Sequence, residues 1–562
     1  MRRIKIRMRD GVKLVTTVIL PKADGRYPTI LLRTPYFRLF RATREHWSQG
    51  VFFAQQGYAS VLQDTRGRYD SEGEFYPYTS EAQDGYDTLE WVGHQPWCNG
   101  KVGMIGASYE AGTQFLAAPE GSQYLKSMIP MFMTGDPWLR GYYAGGAFSL
   151  ALNLIWLCFL LPGKTREDVM MPAYDFGKLF NRLPLITLDE KSDSGALPYW
   201  RDYVKHYTRD HYWKSQSIRD KYHTFVMPVL LIGGWYDYYV GEAFNNYLGL
   251  VKHAPSPETA LSHKVLIGPW PHGIFPSPKF GDVDFGKQSI IDLESLFLNW
   301  FNRTLHSKEP SPNHEAPIRI FVMGANEWRD ENEWPLARTK FLKYYLHSQG
   351  TANTSTGDGE LSPKMPADEP TDSYTYDPNN YVPTLGGNHS VGMMDAPEEI
   401  IRPGPFDQSL IEKRNDVLVY TTQPIQKDIE ITGPIIIKLY AASSASDTDF
   451  VGKLTDVYPD GRSINITEGI IRARFREMDW DKPKLIEPHA IYAYTIDLQV
   501  TSNLFKKGHR IRVQITSSNF PLWDRNPNTG HVPGQDAKLQ NAHQIIYHER
   551  QYPSHIVLPI IP

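Results

Sequence analysis

The chain has 2 cysteines in 562 residues, Cys98 and Cys158. That excludes a disulfide framework, and both read as buried free thiols in a reducing compartment. Positive charge is not in excess: 59 Lys and Arg stand against 63 Asp and Glu, a formal charge of −4. No surplus of cations is available to neutralise a phosphate backbone, so nucleic acid is not expected as a partner. Long apolar runs are also lacking. The longest, Leu150 to Leu161, is broken by Asn153 and is too short to span a bilayer, so no membrane partner is expected. The N-terminus, Met1-Arg2-Arg3-Ile4-Lys5-Ile6-Arg7-Met8, has no apolar signal core and alternates like a strand. A cytoplasmic location follows as the expectation. Neither a His-Glu-x-x-His nor a paired Cys-x-x-Cys zinc pattern is present. Gly163-Lys164-Thr165 lacks the upstream glycine of a phosphate loop, because Cys158 stands there. No metal or organic cofactor is implied.

What the chain does hold is aromatic surface: 14 Trp and 33 Tyr supply enough for a core and an apolar pocket. A chain of 562 residues exceeds one compact core, so two or three domains are expected. Short apolar runs such as Thr29-Ile30-Leu31-Leu32 and Ala59-Ser60-Val61-Leu62 suit strands buried on both faces. Ser80-Glu81-Ala82-Gln83 reads as a capping box opening a helix to about Gly93. A strand at Lys101–Ile105 and a helix over Tyr109–Ala118 continue the alternation of a parallel, helix-flanked sheet. Residues 136–224 read as a helical cap inserted into an α/β domain made of 1–135 and 225–336. In the second part, Pro228–Ile232 and Lys264–Ile267 read as strands and Leu293–Phe301 as a helix. From 337 to 562, many short strand-like runs between turn residues predict an all-β jelly-roll sandwich.

The segment Lys101-Val102-Gly103-Met104-Ile105-Gly106-Ala107-Ser108-Tyr109-Glu110-Ala111-Gly112 puts a serine on a tight strand-to-helix turn. That is the setting of a nucleophile elbow, with small neighbours and a helix N-terminus behind the hydroxyl. Strict Gly-x-Ser-x-Gly is not met, because Glu110 stands two after Ser108. A serine nucleophile needs a base, and the base an orienting acid. Asp237 follows the predicted strand at 228–232, and His272 follows that at 264–267. Both therefore lie past the carboxyl ends of parallel strands, in the chain order Ser, Asp, His of α/β-hydrolases.

The sequence resembles the CocE/NonD family of serine hydrolases, close to the X-Pro dipeptidyl-peptidase S15 group. The resemblance rests on Met8-Arg9-Asp10-Gly11, Arg33-Thr34-Pro35-Tyr36, Gln63-Asp64-Thr65-Arg66-Gly67-Arg68, Gln95-Pro96-Trp97-Cys98-Asn99-Gly100, Gly106-Ala107-Ser108-Tyr109, Gly234-Trp235-Tyr236-Asp237 and Gly268-Pro269-Trp270-Pro271-His272. Ile431-Thr432-Gly433-Pro434 extends it into the C-terminal third. It implies an α/β-hydrolase domain with a jelly roll, a Ser108–Asp237–His272 triad, and an oxyanion hole from the Tyr36 hydroxyl and the Tyr109 N–H. A phenol is a good donor to an oxyanion because it need not ionise. Trp138, Trp156, Trp235, Tyr238, Tyr239 and Trp270 are candidates to line an acyl pocket, although each alone reads as packing. Asp64, Arg66 and Arg68 read as a buried ion pair that fixes their loop, and Glu110 as structural.

Two departures bear on substrate. The family's usual glycine three after the nucleophile is Ala111. The acidic residues that follow the triad aspartate in α-amino acid ester hydrolases are replaced by Tyr238, Tyr239 and Val240. The expectation is a small-molecule esterase favouring a hydrophobic or aromatic acyl group. An amide or β-lactam side-chain acylase, or a dipeptidyl-peptidase-like amidase, is the second reading. A non-catalytic binding protein on a hydrolase scaffold is a third, from another class. Family members often dimerise, which leaves a homodimer open.

Overall fold

The computed structural model describes residues 1–38, 45–161, 176–191, 197–306, 315–389 and 401–562. The buried apolar runs of the first third become strands of one sheet. In chain order they are β1 (Arg2–Arg7), β2 (Lys13–Ile19), β3 (Tyr27–Thr34), helix α1 (Glu45–Gln55), β4 (Ala59–Asp64), α2 (Glu81–Gly93), β5 (Cys98–Ala107), α3 (Tyr109–Ala117) and β6 (Leu125–Met131). Between β6 and the next strand of the sheet lie the two-residue strands β7 (Tyr143–Ala144) and β8 (Ala147–Phe148) and helices α4 (Leu150–Ile155), α5 (Phe176–Phe180), α6 (Pro198–Lys205) and α7 (His211–Lys214). The sheet resumes with β9 (Leu230–Gly234), α8 (Val240–Lys252), α9 (Pro257–Ser262) and β10 (Lys264–Gly268). A small hairpin, β11 (Lys279–Phe280) and β12 (Val283–Asp284), precedes α10 (Leu293–Phe301), β13 (Ile318–Val322) and β14 (Glu327–Glu331).

The sheet runs β1-β2-β4-β3-β5-β6-β9-β10-β13-β14. From β4 to β13 every pairing is parallel, and the antiparallel pairs sit at the two edges. Seven of the eight residues of β3 and all of β4, β9 and β10 are buried, as a sheet covered on both faces requires. Helices α2 and α3 approach closely. A Cβ on Gly85 would lie 2.5 Å from that of Ala117, so a glycine is kept inside a helix despite a cost of about 1 kcal/mol. The capping box read at Ser80 does not form. Ser80 has helical backbone angles and makes no side-chain capping bond, whereas the Glu81 carbonyl accepts from Arg33 at 3.1 Å.

The C-terminal domain is all-β: β15 (Lys340–His347), β16 (Glu360–Ser362), β17 (Asp372–Tyr376), β18 (Leu418–Thr421), β19 (Ile429–Ser443), β20 (Asp449–Val457), β21 (Ser463–Arg472), β22 (Tyr492–Phe505), β23 (Arg510–Thr516), β24 (Ala542–Tyr547) and β25 (His555–Ile561). Along β19, Ile435, Ile437, Leu439 and Ala441 are buried in alternation with half-buried neighbours, the period of a strand facing one core. Cys98 and Cys158 are both free and buried. No helix among the described residues is long and apolar enough to cross a membrane.

A buried charge cluster joins the β7–β8 hairpin to this domain. Arg472 binds Asp449 at 2.8 Å and Asp524 at 2.9 Å. Asp524 accepts from the Phe148 N–H at 2.7 Å, and the Arg472 N–H donates to the Gly145 carbonyl at 2.8 Å. Removing one member of such a cluster leaves uncompensated buried charge, at a cost of roughly 3–5 kcal/mol. Arg472→Ala is therefore expected to lower the thermal midpoint markedly by circular dichroism. An unchanged midpoint would show that the cluster contributes nothing net.

Candidate active site

Strand β5 delivers Ser108 and helix α3 begins at the next residue. Ser108 has φ 58° and ψ −124°, outside both the helical and the extended regions. A non-glycine residue holds such a conformation only when its surroundings enforce it. Here its N–H donates to the Met131 carbonyl at 2.9 Å, and its carbonyl accepts from Ala111 at 2.9 Å and Gly112 at 3.1 Å. With the backbone locked, the hydroxyl stands above the strand ends. The N–H of Tyr109 opens the helix, where first-turn N–H groups have no intrahelical acceptor.

Glu110 folds back beneath this turn. Its Oε2 accepts from the Ala107 N–H at 3.3 Å, and its Oε1 pairs with His46 Nε2 at 2.8 Å. The reading of Glu110 as structural agrees with these contacts.

Tyr36 follows the end of β3. The Trp156 indole N–H donates to its hydroxyl at 2.8 Å. Burial first, and the Glu110 carboxylate second among the raising causes, push Tyr36 above the ordinary phenol range, so it keeps its proton. With an oxygen lone pair occupied by Trp156, the O–H remains to donate. The loop is held on several sides. The Arg68 Nε–H donates to the Pro35 carbonyl at 2.9 Å, the Arg38 N–H donates to Asp64 at 2.6 Å, and the Arg38 guanidinium pairs with Asp64. The ion pair read from the sequence thus has a partner that was not foreseen, Arg38. Arg66 pairs instead with Asp10 and Asp84, at 2.6 Å each.

Asp237 follows β9 and is fully buried; His272 follows β10. His272 Nδ1 lies 2.7 Å from Asp237 Oδ1. A carboxylate only accepts, so Nδ1 carries the proton and Nε2 keeps its lone pair in the neutral ring. Asp237 Oδ2 accepts from the Tyr239 N–H at 3.2 Å. The two loops are tied together by Trp235 N–H to Gly268 O at 2.8 Å and Tyr236 N–H to Trp270 O at 3.0 Å. Phe132, just past β6, packs its ring edge against His272 with centroids 5.7 Å apart, and Tyr239 lies on it at 5.6 Å. Strand β6, which carries Phe132 just past its end, lies between β5 and β9 in the sheet.

The aromatic candidates separate. Trp156 meets Tyr36 and stacks on Tyr142, with centroids 5.7 Å apart and planes at 10°. Trp138 stacks on Tyr143 and packs on Phe475 and Trp480. Trp235 donates to the Phe321 carbonyl at 2.6 Å and stacks on Phe244. Trp270 donates to the Ser289 carbonyl at 3.4 Å and packs on Trp328. Tyr238 hydrogen-bonds Ser149 and clusters with Trp523. These four are fully engaged in packing or buried hydrogen bonds. Residues missed in the sequence stand closer: Tyr78 stacks on Tyr109 at 4.4 Å and accepts from the Tyr142 hydroxyl at 3.1 Å. No local motif marks Tyr78, Phe132 or Tyr142. Among the described residues, no group of His, Cys, Asp and Glu is arranged to hold a metal ion.

A largely parallel sheet with a strained serine turn and a histidine–carboxylate pair at its strand ends belongs to the α/β-hydrolase class. Comparison with known proteins adds the family. Residues 10–274 match the X-Pro dipeptidyl-peptidase S15 family, and residues 313–557 match the X-Pro dipeptidyl-peptidase C-terminal non-catalytic domain. The chain is 38% identical to cocaine esterase of Rhodococcus sp. (strain MB1 Bresler), over 99% of this chain and 98% of that protein. An aminopeptidase from the marine sediment archaeon Thaumarchaeota archaeon aligns with TM-score 0.86 at 27% identity, covering 100% of this chain and 96% of that one. An α-amino acid ester hydrolase aligns with TM-score 0.83 at 27% identity, with the same coverage. The chain belongs to the CocE/NonD family of S15-type hydrolases.

The turn leaves no room for a larger residue at Gly106, where a Cβ would lie 2.4 Å from that of Glu110. Gly106→Ala is expected to displace the Glu110 support and slow labelling by a fluorophosphonate probe, with the fold retained by circular dichroism. Labelling at the wild-type rate would show that the turn tolerates the change.

Proposed function

We propose that the protein is a carboxylic ester hydrolase that works through an acyl-enzyme on Ser108. The observation that carries this reading is the 2.7 Å contact between His272 and the buried Asp237 at the same sheet edge as the Ser108 turn. Ser108 Oγ attacks the ester carbonyl while His272 Nε2 takes its proton. Asp237 holds the imidazole tautomer and stabilises the imidazolium that forms. The oxyanion receives hydrogen bonds from the Tyr36 O–H and the Tyr109 N–H. His272 then returns the proton to the leaving alkoxide. Water, deprotonated by the same histidine, releases the acid.

The acyl group is read as hydrophobic or aromatic. Trp156, whose indole N–H reaches Tyr36, continues into the stacked rings of Tyr142, Tyr78 and Tyr109. Nearby carboxylates are already engaged: Glu110 by His46 at 2.8 Å, and Glu242, five residues past Asp237, by Arg219 at 2.6 Å. Neither stands free to receive a substrate ammonium. Cocaine esterase, the 38% identical relative, carries ester cleavage in its name, in keeping with this reading. The aminopeptidase with the similar structure keeps amide cleavage as the second reading.

Ser108→Ala is expected to abolish fluorophosphonate labelling and to lower turnover of p-nitrophenyl butyrate and benzoate by roughly 10⁴–10⁶-fold. Benzoate and butyrate are expected to exceed acetate in kcat/KM. Turnover that survives the substitution would remove Ser108 as nucleophile. Tyr36→Phe is expected to lower kcat by about 10²–10³-fold with little change in KM. Because the Tyr36 pKa is raised, its O–H is intact on both sides of neutrality, and the loss should be equal at pH 7 and pH 9.5. A loss that shrinks as pH rises would mean that the hydroxyl ionises in this range and is not the donor.

A further inference from the structure

The loop that carries Asp237 leaves β9 at Trp235 and enters α8 at Val240. The start of α8 is poorly capped from within: Tyr239 occupies the capping position and makes no side-chain capping bond. First-turn N–H groups of a helix need outside acceptors. Here one comes from the C-terminal domain. The Gly241 N–H donates to Gln499 Oε1 at 3.2 Å. Gln499 lies in β22 where its register with β19 breaks, so that Leu498 and Gln499 together face Ile435. Its φ is 66°, a left-handed conformation in a residue other than glycine, and its N–H donates to Asp497 Oδ1 at 2.8 Å. A bulge of this kind re-aims a side chain out of the strand's alternation, and such strain collects beside functional sites.

A second contact grips the loop on the other side of Asp237. Asn388 Nδ2 donates to the Trp235 carbonyl at 2.5 Å. Asn388 is itself fixed, since its N–H donates to Glu468 Oε1 at 3.3 Å. Glu468 is buried and held by Lys453 at 3.2 Å and Asn519 Nδ2 at 2.9 Å. The Trp235 ring has separate anchors, its indole bond to Phe321 and its stack on Phe244. Losing the Asn388 bond therefore frees the loop backbone without freeing the side chain. The Tyr236 hydroxyl adds a third tie, donating to the Asn465 carbonyl at 3.2 Å.

We infer that Asn388 and Gln499, in the domain whose family description calls it non-catalytic, are positioning residues that fix Asp237 against His272 by holding the backbone on either side of it. The inference rests on the acid role of Asp237 proposed above. It makes the C-terminal domain part of the machinery, although none of its residues need touch the substrate. The expected consequence is kinetic, because small misplacements of a catalytic group cost rate well before they cost folding.

The test is a double-mutant cycle in the full chain. Asn388→Asp keeps the shape and removes the donor; Gln499→Ala removes the acceptor. Each is made in the wild type and in Asp237→Asn, and kcat and KM are measured with p-nitrophenyl butyrate. In the wild type each is expected to lower kcat about tenfold with KM within twofold. In Asp237→Asn the same substitutions should change kcat by less than twofold, because the group they position is already disabled. Wild-type kcat in folded variants, or equal losses in both backgrounds, would overturn the inference. Should Asn388→Asp fail to fold, Gln499→Ala alone completes a cycle. If Asp237→Asn leaves kcat unchanged, the acid assignment itself fails, which is a separate result.

Discussion

Asp237 has no exposed surface, yet the proposed mechanism asks it to be an anion. Burying a carboxylate costs several kcal/mol unless hydrogen bonds replace the lost water. The replacements are His272 Nδ1 at 2.7 Å and the Tyr239 N–H at 3.2 Å. The second is local to the loop after β9, and the first exists only while the loops after β9 and β10 keep their relative heights. The adjacent strands set that height, through the pairing of Gly268 with Gly234 and the crossing bonds from Trp235 and Tyr236. The sheet is thus a rigid ruler for one charge pair, and the Ser108 turn stands two strands away on the same edge.

Around that pair the environment is uncharged or neutralised. Tyr36 is held above its ordinary pKa and stays a donor. The rings of Trp156, Tyr142, Tyr78 and Tyr109 give an apolar flank beside it. Carboxylates in the neighbourhood are used to build loops: Asp64 by Arg38, Glu110 by His46. This is the pattern of a site that develops one negative charge during reaction and recognises its acyl group by shape. It fits a neutral acyl ester better than an amino-acyl substrate.

What was legible in the sequence was local. The strands before Asp237 and His272 are short, fully buried runs, the strand before Ser108 is buried over 102–106, and each polar residue sits just beyond its strand, so position along the chain fixed position on the sheet edge. The helix over Leu293–Phe301 was readable from its apolar residues, of which Phe297, Trp300 and Phe301 are buried. What was not legible depends on distant partners. Arg38 pairs with Asp64, Gln499 reaches Gly241, and Asn388 reaches Trp235, across separations that periodicity does not encode. Aromatic identity beside the triad also misleads. Trp235 and Trp270 stand two residues before the catalytic candidates, but their indoles are held in the core by bonds to the Phe321 and Ser289 carbonyls. The capping box at Ser80 did not form: Ser80 keeps helical backbone angles and makes no side-chain capping bond.

The central claim is a covalent acyl group on Ser108. The most direct measurement is mass spectrometry of the wild-type protein, acid-quenched during turnover of p-nitrophenyl benzoate and then peptide-mapped. The account predicts a benzoyl adduct on the peptide containing Ser108 that decays as benzoate appears. Turnover at full rate with no adduct, or an adduct confined to another residue, would contradict it.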